Sequence, residues 1–295
     1  MIEEKEVDGM NFAVTGAAGN LGSRVVTKLA ALVDKKNIVA LVHTPAKAQN
    51  LKEQGVTVRA GDYTDVDSMI AALREIDLVI YIPSKTYDVV QRVLELENTL
   101  TAMRKAGVKK IIFVSFFADQ EKNPFTMSPY YGYAPRRLAG SEFEYTVVKN
   151  TLYADPLVPY LPELIERKQI IYPIGAEKLS FISLEDSAEA LAKLVVQPDL
   201  RDQGQTYLLS QKENYSMDQL GSIMSDVTGK EIGYQPVTLE EFAEIYRGDG
   251  DGKELASMYQ GGALGLLGEV TNDFETITGH APLDMRLFLQ ENYNK

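Results

Sequence analysis

The sequence predicts an α/β protein: a doubly wound parallel sheet followed by a smaller C-terminal α/β lobe. Three observations carry this. Short β-branched runs alternate with amphipathic stretches through the first half of the chain. The runs are nearly continuously apolar, as strands buried on both faces of a parallel sheet must be. Their strand–helix–strand order, repeated, is the βαβ signature.

In order, the strand candidates are "FAVTG" (12–16), "IVALVH" (38–43), "VTVRAG" (56–61), "LVIYIP" (78–83), "IIFVSF" (111–116) and "YTVVKN" (145–150). Between them stand the helical patterns "LGSRVVTKLAALV", "PAKAQNLKEQG", "DVDSMIAALREI" and "TYDVVQRVLELENTLTAMRKAG". Gly55 and Gly107 supply the left-handed conformation that ends a helix. Thr64 or Asp65 is expected to cap the helix from Val66, and Ser183 with Asp186 reads as a capping box ahead of "SAEALAKLVV". The segment "DQEKNPFTMSPYYGYAPRR" (119–137) breaks the rhythm, with three prolines and three tyrosines in 19 residues and neither period. It reads as a long loop, and such a loop in a compact domain is usually functional. Beyond residue 150 the pattern turns to helices, prolines and isolated short strands ("FIS", "YLLS", "YQPV"). This predicts one domain over 1–150 and a second over 151–295, with "YLLS" returning to the main sheet.

Composition narrows the classes. The 295 residues suffice for one large or two modest domains, with 45% hydrophobic and 24% charged residues. A net charge of −12 without any basic stripe argues against a nucleic-acid partner. Cysteine is absent, which removes disulfides, thiolate metal sites and a cysteine nucleophile, and suits a cytoplasmic protein. His43 and His280 are the only histidines, too few for a histidine zinc site, so no metal is expected. The acidic "MIEEKEVDG" does not read as a signal peptide. The longest apolar run (111–118) is too short to span a bilayer, so no membrane partner is expected.

Gly16, Gly19 and Gly22 form G-x-x-G-x-x-G between the first strand and the first helix. The first glycine permits the sharp turn, the second lets backbone approach a pyrophosphate, and the third lets helix pack on strand. Helix N-terminal amides then hold the phosphates. Gly16, Ala18, Gly19, Asn20, Leu21 and Gly22 are thus the expected dinucleotide cradle. The end of the second strand selects the cofactor, since an acidic residue there binds the ribose hydroxyls of NAD. "LVHTPAK" instead carries His43 and Thr44, with Lys47 one turn further. With no carboxylate in that stretch and Lys47 able to pair with a 2′-phosphate, NADP is expected over NAD.

With "VTGAAGNLG", "LVHTPAKAQNL", "VTVRAGDYTDVDSMIAAL", "AGVKKIIFVS" and "YTVVKNTLY" in this order, the chain resembles the NmrA-like branch of atypical short-chain dehydrogenases. Its pattern is similar to the NAD(P)H:quinone oxidoreductase and triphenylmethane reductase members, over essentially the whole length. The resemblance implies a Rossmann domain binding NADP(H) or NAD(H), and a cleft beside the smaller lobe. It implies Gly61, Asp62 and Tyr63 near the adenine. Ile82, Pro83 and Ser84, with Ser115, Phe116 and Phe117, would lie beside the nicotinamide, and Lys149 and Asn150 would end the sixth strand at the cleft. The family commonly carries arginine where this chain has His43, which loosens the NADP expectation.

Short-chain dehydrogenases generally use Tyr-x-x-x-Lys on a helix, where four residues make about one turn. Tyr81–Lys85 and Tyr145–Lys149 match that spacing but fall on strands, about 13 Å apart at ~3.3 Å per residue, so both read as chance. The helix that should carry the dyad is expected to start near Ala134. Its nearest pattern is Tyr133-x-x-x-Arg137, with Pro135 leaving Tyr133 just outside the helix. Tyr131, Tyr133, Arg137 and Lys149 are therefore catalytic candidates without an assigned role. Phe117, Phe125, Tyr130, Tyr131, Tyr133, Asn150 and Tyr153 are expected to line a pocket for a planar small-molecule substrate.

Together these readings favour an NAD(P)H-dependent oxidoreductase passing hydride to a quinone-like or other planar electrophile, as a monomer or homodimer. The alternative is a redox sensor that binds NAD(P) and reports to a protein partner. A nucleotide-sugar epimerase ranks last, because that chemistry uses the tyrosine dyad.

Overall fold

The structure, a computed structural model, describes residues 7, 9–249 and 252–293. Most of the acidic N-terminal stretch lies outside the described residues. The first half contains β1 (Phe12–Val14), α1 (Asn20–Leu29), β2 (Ile38–Val42), α2 (Gln49–Glu53), β3 (Thr57–Ala60), α3 (Val66–Ala72), β4 (Leu78–Tyr81), α4 (Val89–Ala106) and β5 (Lys110–Phe116). Then come α5 (Ser128–Ala139), β6 (Glu144–Asn150), β7 (Leu152–Tyr153), α6 (Leu157–Arg167), β8 (Gln169–Ile170), β9 (Lys178–Ile182), α7 (Leu184–Val195) and β10 (Thr206–Leu209). The remainder holds β11 (Asn214–Ser216), α8 (Met217–Thr228), β12 (Gly233–Tyr234), α9 (Leu239–Ile245), α10 (Gly252–Ala263), α11 (Asp273–Thr278) and α12 (Met285–Asn292).

The seven-stranded sheet has the order β10-β6-β5-β4-β1-β2-β3. β1 runs parallel to both β2 and β4, with Phe12 opposite Ile38 on one side and Leu78 on the other. β3 is parallel to β2, and β5 to β4. Winding proceeds one way through β2 and β3 and the other way through β4 and β5. The order therefore reverses between β1 and β4, a switch point whose carboxyl ends leave a crevice for a ligand. β1, β2 and β4 are buried throughout, as their apolar runs predict. β3 is not: Thr57 and Ala60 are exposed, because this strand forms the edge. The "YLLS" run does return to the main sheet, as its outer strand β10.

The chain divides into two compact units. The first comprises the chain through Ser115, then Tyr133–Lys149 and Leu184–Tyr207. Within it α1 buries Leu21, Val25, Val26 and Leu29 at helical spacing and packs along α7, which buries Ala188, Leu191, Ala192 and Val195. Lys28 and Arg24 reach Glu185 at 2.7 and 3.6 Å, an exposed arrangement worth little by itself. Asp65 caps α3, accepting from the amides of Asp67 and Ser68, and Gly107 ends α4 in the left-handed conformation at φ +82°. Asp88 starts α4 by accepting from the amides of Val90 at 2.8 Å and Gln91 at 3.1 Å. Asp88→Ala strips that cap and is expected to lower stability by about 1 kcal/mol, read as a shifted urea midpoint at unchanged slope.

The second unit comprises Phe116–Gly132, Asn150–Ser183 and the chain from Leu208 onward. Its small sheets are β11-β9-β7 and β12-β8. Leu161, Leu164, Ile170, Tyr172, Leu179, Met217, Leu220, Met224, Phe242 and Phe288 build its core.

One expectation needs correcting. The helix expected to start near Ala134, at the end of the 119–137 loop, begins instead at Ser128 as α5, with Pro135 inside it, so Tyr130, Tyr131 and Tyr133 all lie on that helix. Pro135 removes only its own amide bond, back to Tyr131, and a kinked helix survives that where packing supports it. Met127, Tyr130, Ala134 and Leu138 supply the packing: all are buried at three- and four-residue spacing. The stripe is present in the sequence but masked by its prolines and by a tyrosine in an apolar position. Among the described residues, no helix is long and apolar enough to cross a membrane.

Candidate functional site

The glycine turn sits at the switch point, between the end of β1 and the start of α1. Gly16 adopts φ +60°, a conformation that favours glycine. A Cβ on Gly19 would lie 3.1 Å from the Gly16 carbonyl oxygen; one on Gly22 would lie 2.3 Å from that oxygen and 2.8 Å from Ala17 Cα. Both contacts are with backbone, so neither can be relieved by rotating a side chain. Gly19 is also the N-cap residue of α1, and no side chain caps that helix. Its first amides thus face outward beside the turn, which is the arrangement that receives a phosphate. A built turn with an uncapped helix end fits a dinucleotide pyrophosphate.

The adjacent end of β4 is braced by Tyr63, expected near the adenine, and by Thr15 and Asn98, which the sequence reading did not single out. Thr15, fully buried just past the apolar strand β1, accepts from the Ile82 amide at 2.9 Å. Tyr63 donates to the Ile82 carbonyl at 2.7 Å, and Asn98 of α4 donates to the Tyr63 carbonyl at 2.9 Å. Desolvation pushes the Tyr63 phenol well above its ordinary range, so it remains a donor. The hydroxyl of Tyr63 therefore positions Ile82, Pro83 and Ser84, and its ring packs on Tyr81, 5.3 Å between centroids. Ser115, at the end of β5, is buried, and its hydroxyl has no hydrogen-bond partner among the described residues. Such an orphaned donor in a crevice invites a ligand.

At the ends of β2 and β3 the structure departs from the sequence reading. His43 and Thr44 are exposed and in contact, Nδ1 to Oγ1 at 3.2 Å, and Lys47 is exposed in the 3-10 turn Pro45–Ala48. No carboxylate was expected beside them, yet Asp62 comes in from the end of β3, with Oδ2 at 3.5 Å from His43 Nε2. Its other oxygen accepts from the amide of Thr64 at 2.8 Å and the hydroxyl of Thr64 at 2.7 Å. Those hydrogen bonds, led by the amide, hold the Asp62 carboxyl below its usual range. A linear reading of "LVHTPAK" could not see a group supplied by the neighbouring strand.

The tyrosine question also resolves differently. Tyr133 and Arg137 lie one turn apart on α5 and both bind Glu97 of α4. Tyr133 donates to Glu97 Oε1 at 2.6 Å; Arg137 reaches the two carboxylate oxygens at 2.7 and 3.1 Å. Desolvation and the neighbouring carboxylate raise the Tyr133 phenol. Arg137 thus occupies the place of a dyad lysine, but its charge is spent on Glu97. Nothing in "LELENTL" signalled Glu97, because its partners on α5 lie 36 and 40 residues away and meet it only in the folded chain. Tyr145 and Lys149 are on β6 and Tyr81 ends β4, so neither Tyr-x-x-x-Lys match forms a helical pair.

In the second unit, Phe116, Phe125 and Tyr131 form one aromatic cluster. Phe116 stands edge-on to Phe125 at 5.8 Å and to Tyr131 at 5.7 Å, while Phe125 and Tyr131 stack at 6.3 Å. Phe125 and Tyr130 are buried, and Phe116 and Tyr131 remain half-exposed. The buried Asn150 side chain donates to the Tyr153 hydroxyl at 3.1 Å, and the Phe117 amide donates to the Asn150 carbonyl at 2.9 Å.

A model of the NmrA-like family matches residues 10–275. Quinone oxidoreductase 2 of Escherichia coli (strain K12) is 29% identical over 273 residues, 91% of this chain and 94% of its own. A crystal structure of the E. coli NADPH-dependent quinone oxidoreductase complexed with NADPH superposes with a TM-score of 0.87 at 29% identity, over 95% of this chain and 99% of that one. A Staphylococcus aureus structure described as a nucleoside-diphosphate-sugar epimerase superposes with a TM-score of 0.91 at 40% identity, over 95% of this chain and 100% of that one. The triphenylmethane reductase of Citrobacter sp. complexed with NADP(H) gives 0.87 at 26% identity, over 95% and 100%.

Proposed function

The chain belongs to the NmrA-like family, and on that premise we propose that it is an NAD(P)H-dependent oxidoreductase, favouring NADPH, that reduces a quinone-like or other planar small molecule. The observation carrying this reading is the built glycine turn at the switch point, in a chain whose E. coli relative is a quinone oxidoreductase. When bound, the nicotinamide cofactor supplies the hydride. The amides that open α1 would hold the pyrophosphate, and Thr44 and Lys47 would take a 2′-phosphate. Tyr63 and Thr15 hold the Ile82–Ser84 backbone in place, and the buried Ser115 hydroxyl, without a hydrogen-bond partner among the described residues, can donate to a ligand. The half-exposed rings of Phe116 and Tyr131 offer a flat apolar wall suited to a planar acceptor. The cysteine-free chain suits a reducing cytosol, where it would act as a monomer or homodimer.

Tyr133 keeps its proton and directs it at Glu97, so it is not the acid that completes reduction. The proton that follows hydride onto a quinone comes from water, and the chain contributes orientation rather than acid catalysis. The same lock weighs against an epimerase reading of this chain, since a tyrosine base must give up its proton. Tyr133→Phe is accordingly expected to leave kcat with a quinone acceptor within about threefold and its pH profile unchanged, whereas loss of a general acid would cost about 100-fold or more. The deciding measurement is stopped-flow oxidation of bound NADPH, and separately NADH, against a quinone and dye panel. Bound cofactor that stays reduced with every acceptor would replace the enzyme by the redox sensor.

A further inference from the structure

Helix α4 buries Leu96, Thr99, Leu100 and Met103 on its inner face, and the outer face of such a helix is normally polar. Its first two turns depart from that rule. Tyr87, just ahead of the helix, is 49% exposed, and Val90 and Leu94 are 68% and 51% exposed at helical spacing. Val89 and Val93, half-buried, widen the same stripe. The other large exposed hydrophobics among the described residues, Leu32, Ile245, Leu264 and Leu287, each stand on a different segment. The stripe begins beside the crevice, at the segment that ends β4. From Ser84 two short turns lead into α4: the Thr86 amide donates to the Ser84 hydroxyl at 3.3 Å, and the Asp88 amide to the Thr86 hydroxyl at 3.2 Å. From Tyr87 to Leu94 the stripe covers about 10 Å, at ~1.5 Å per residue. It stops at Glu97, one turn further along that face, where Arg137 and Tyr133 hold the carboxylate.

Three large side chains at about half exposure amount to roughly 300 Å² of contiguous apolar surface, the size of a patch that binds something. It falls well short of the roughly 800 Å² per partner that a stable dimer covers. The occupant is therefore small, apolar and continuous with whatever the crevice holds. We propose that the acceptor is a quinone carrying an isoprenoid side chain, which lies along Tyr87, Val90 and Leu94 while the ring stands at the crevice. The inference rests on the quinone reading above and deepens it by naming the substrate class. The side chain takes no part in hydride transfer. Covering the stripe removes apolar surface of helix and substrate alike from water. That gain is equal in the ground state and the transition state, so it lowers KM and leaves kcat alone. The ion pair at Glu97 confines the gain to a short chain, because an apolar tail gains nothing by desolvating charges.

The test is steady-state reduction of a methylnaphthoquinone, and of the same ring bearing one prenyl unit, at saturating NADPH. The proteins compared are wild type, the double variant Val90→Thr with Leu94→Gln, and Leu264→Gln. In wild type the prenyl unit is expected to lower KM by about tenfold, as half-covering its five carbons should. The double variant is expected to lose most of that advantage. Leu264→Gln, which removes a comparably exposed leucine elsewhere, is expected to keep it. Should the double variant unfold, which its urea midpoint reports, Leu94→Gln alone carries the test, with a loss of about threefold. A prenyl advantage absent from wild type, or equal in all the proteins, overturns the role given to the stripe and leaves the quinone reading intact. A double variant that sediments as a monomer where wild type is a dimer gives the face to a second copy of the chain, and overturns that role too. Wild type that reduces neither quinone overturns both.

Discussion

Replacing Gly22 by valine is expected to abolish NAD(P)H binding and to destabilise the protein at once. The Cβ it introduces would meet the Gly16 carbonyl oxygen at 2.3 Å and Ala17 Cα at 2.8 Å. Both atoms belong to the turn itself, so the only relief is to move α1 away from the turn or to open the turn. Either movement draws the first amides of α1 off the phosphate position, and the buried face of Leu21, Val25, Val26 and Leu29 must shift with them. Overpacking of this kind costs about 1–3 kcal/mol, and fixed backbone neighbours put it at the upper end. Gly22→Ala should show most of the effect, since the first carbon already clashes. Gly132→Ala is the matched control: it lies in α5 with nothing within 4 Å of a built Cβ. That substitution should be neutral or gain about 0.5–1 kcal/mol from backbone entropy. Nucleotide fluorescence titration and urea midpoints read both quantities. Wild-type affinity in Gly22→Ala would mean that the turn does not hold the cofactor.

The contrast between Gly22 and Asp62 shows what a linear sequence reveals. Gly22 was legible because its role is local: strand, turn and helix follow one another, and the glycine spacing carries the geometry. The same holds for Asp65 and Gly107, whose capping partners lie within a few residues. Asp62 beside His43, and Glu97 beneath Tyr133 and Arg137, are separated by 19, 36 and 40 positions and meet only through tertiary pairing. No periodicity encodes such a meeting. The helix α5 was hidden for a different reason: its local signals, two prolines and a glycine, oppose the state that burial of Tyr130, Ala134 and Leu138 enforces. Moving Tyr133 from a loop end onto that helix turned an uncertain acid into a tyrosine locked to a carboxylate. The chemistry assigned to the site changed with it.

Asp202→Ala is expected to be the most damaging polar substitution away from the cradle. Arg201 is 1% exposed, and its guanidinium binds Asp202 Oδ2 and, through Nε at 3.3 Å, the Val195 carbonyl. The same carboxylate oxygen takes Lys110 Nζ at 2.6 Å, and Lys110 also reaches Glu144 at 3.0 Å. Removing the carboxylate leaves a buried guanidinium without its counter-ion, a loss of about 3–5 kcal/mol. Position 202 also has φ +75°, which asparagine or aspartate tolerates better than alanine. Asp202→Asn should therefore cost less than Asp202→Ala, because it restores the backbone preference and one acceptor while still removing the charge. The surface pair Arg286–Asp226, 46% and 61% exposed, provides the opposite case, and Asp226→Ala should cost under about 1 kcal/mol. Lys110 begins β5 and pairs in register with Leu78, so this cluster lies at the amino ends of the strands, whereas the cradle lies at their carboxyl ends. Folded Asp202→Asn should then bind NADPH as wild type does while unfolding at lower urea. A parallel loss of affinity and stability would show that the two ends of the sheet do not act separately.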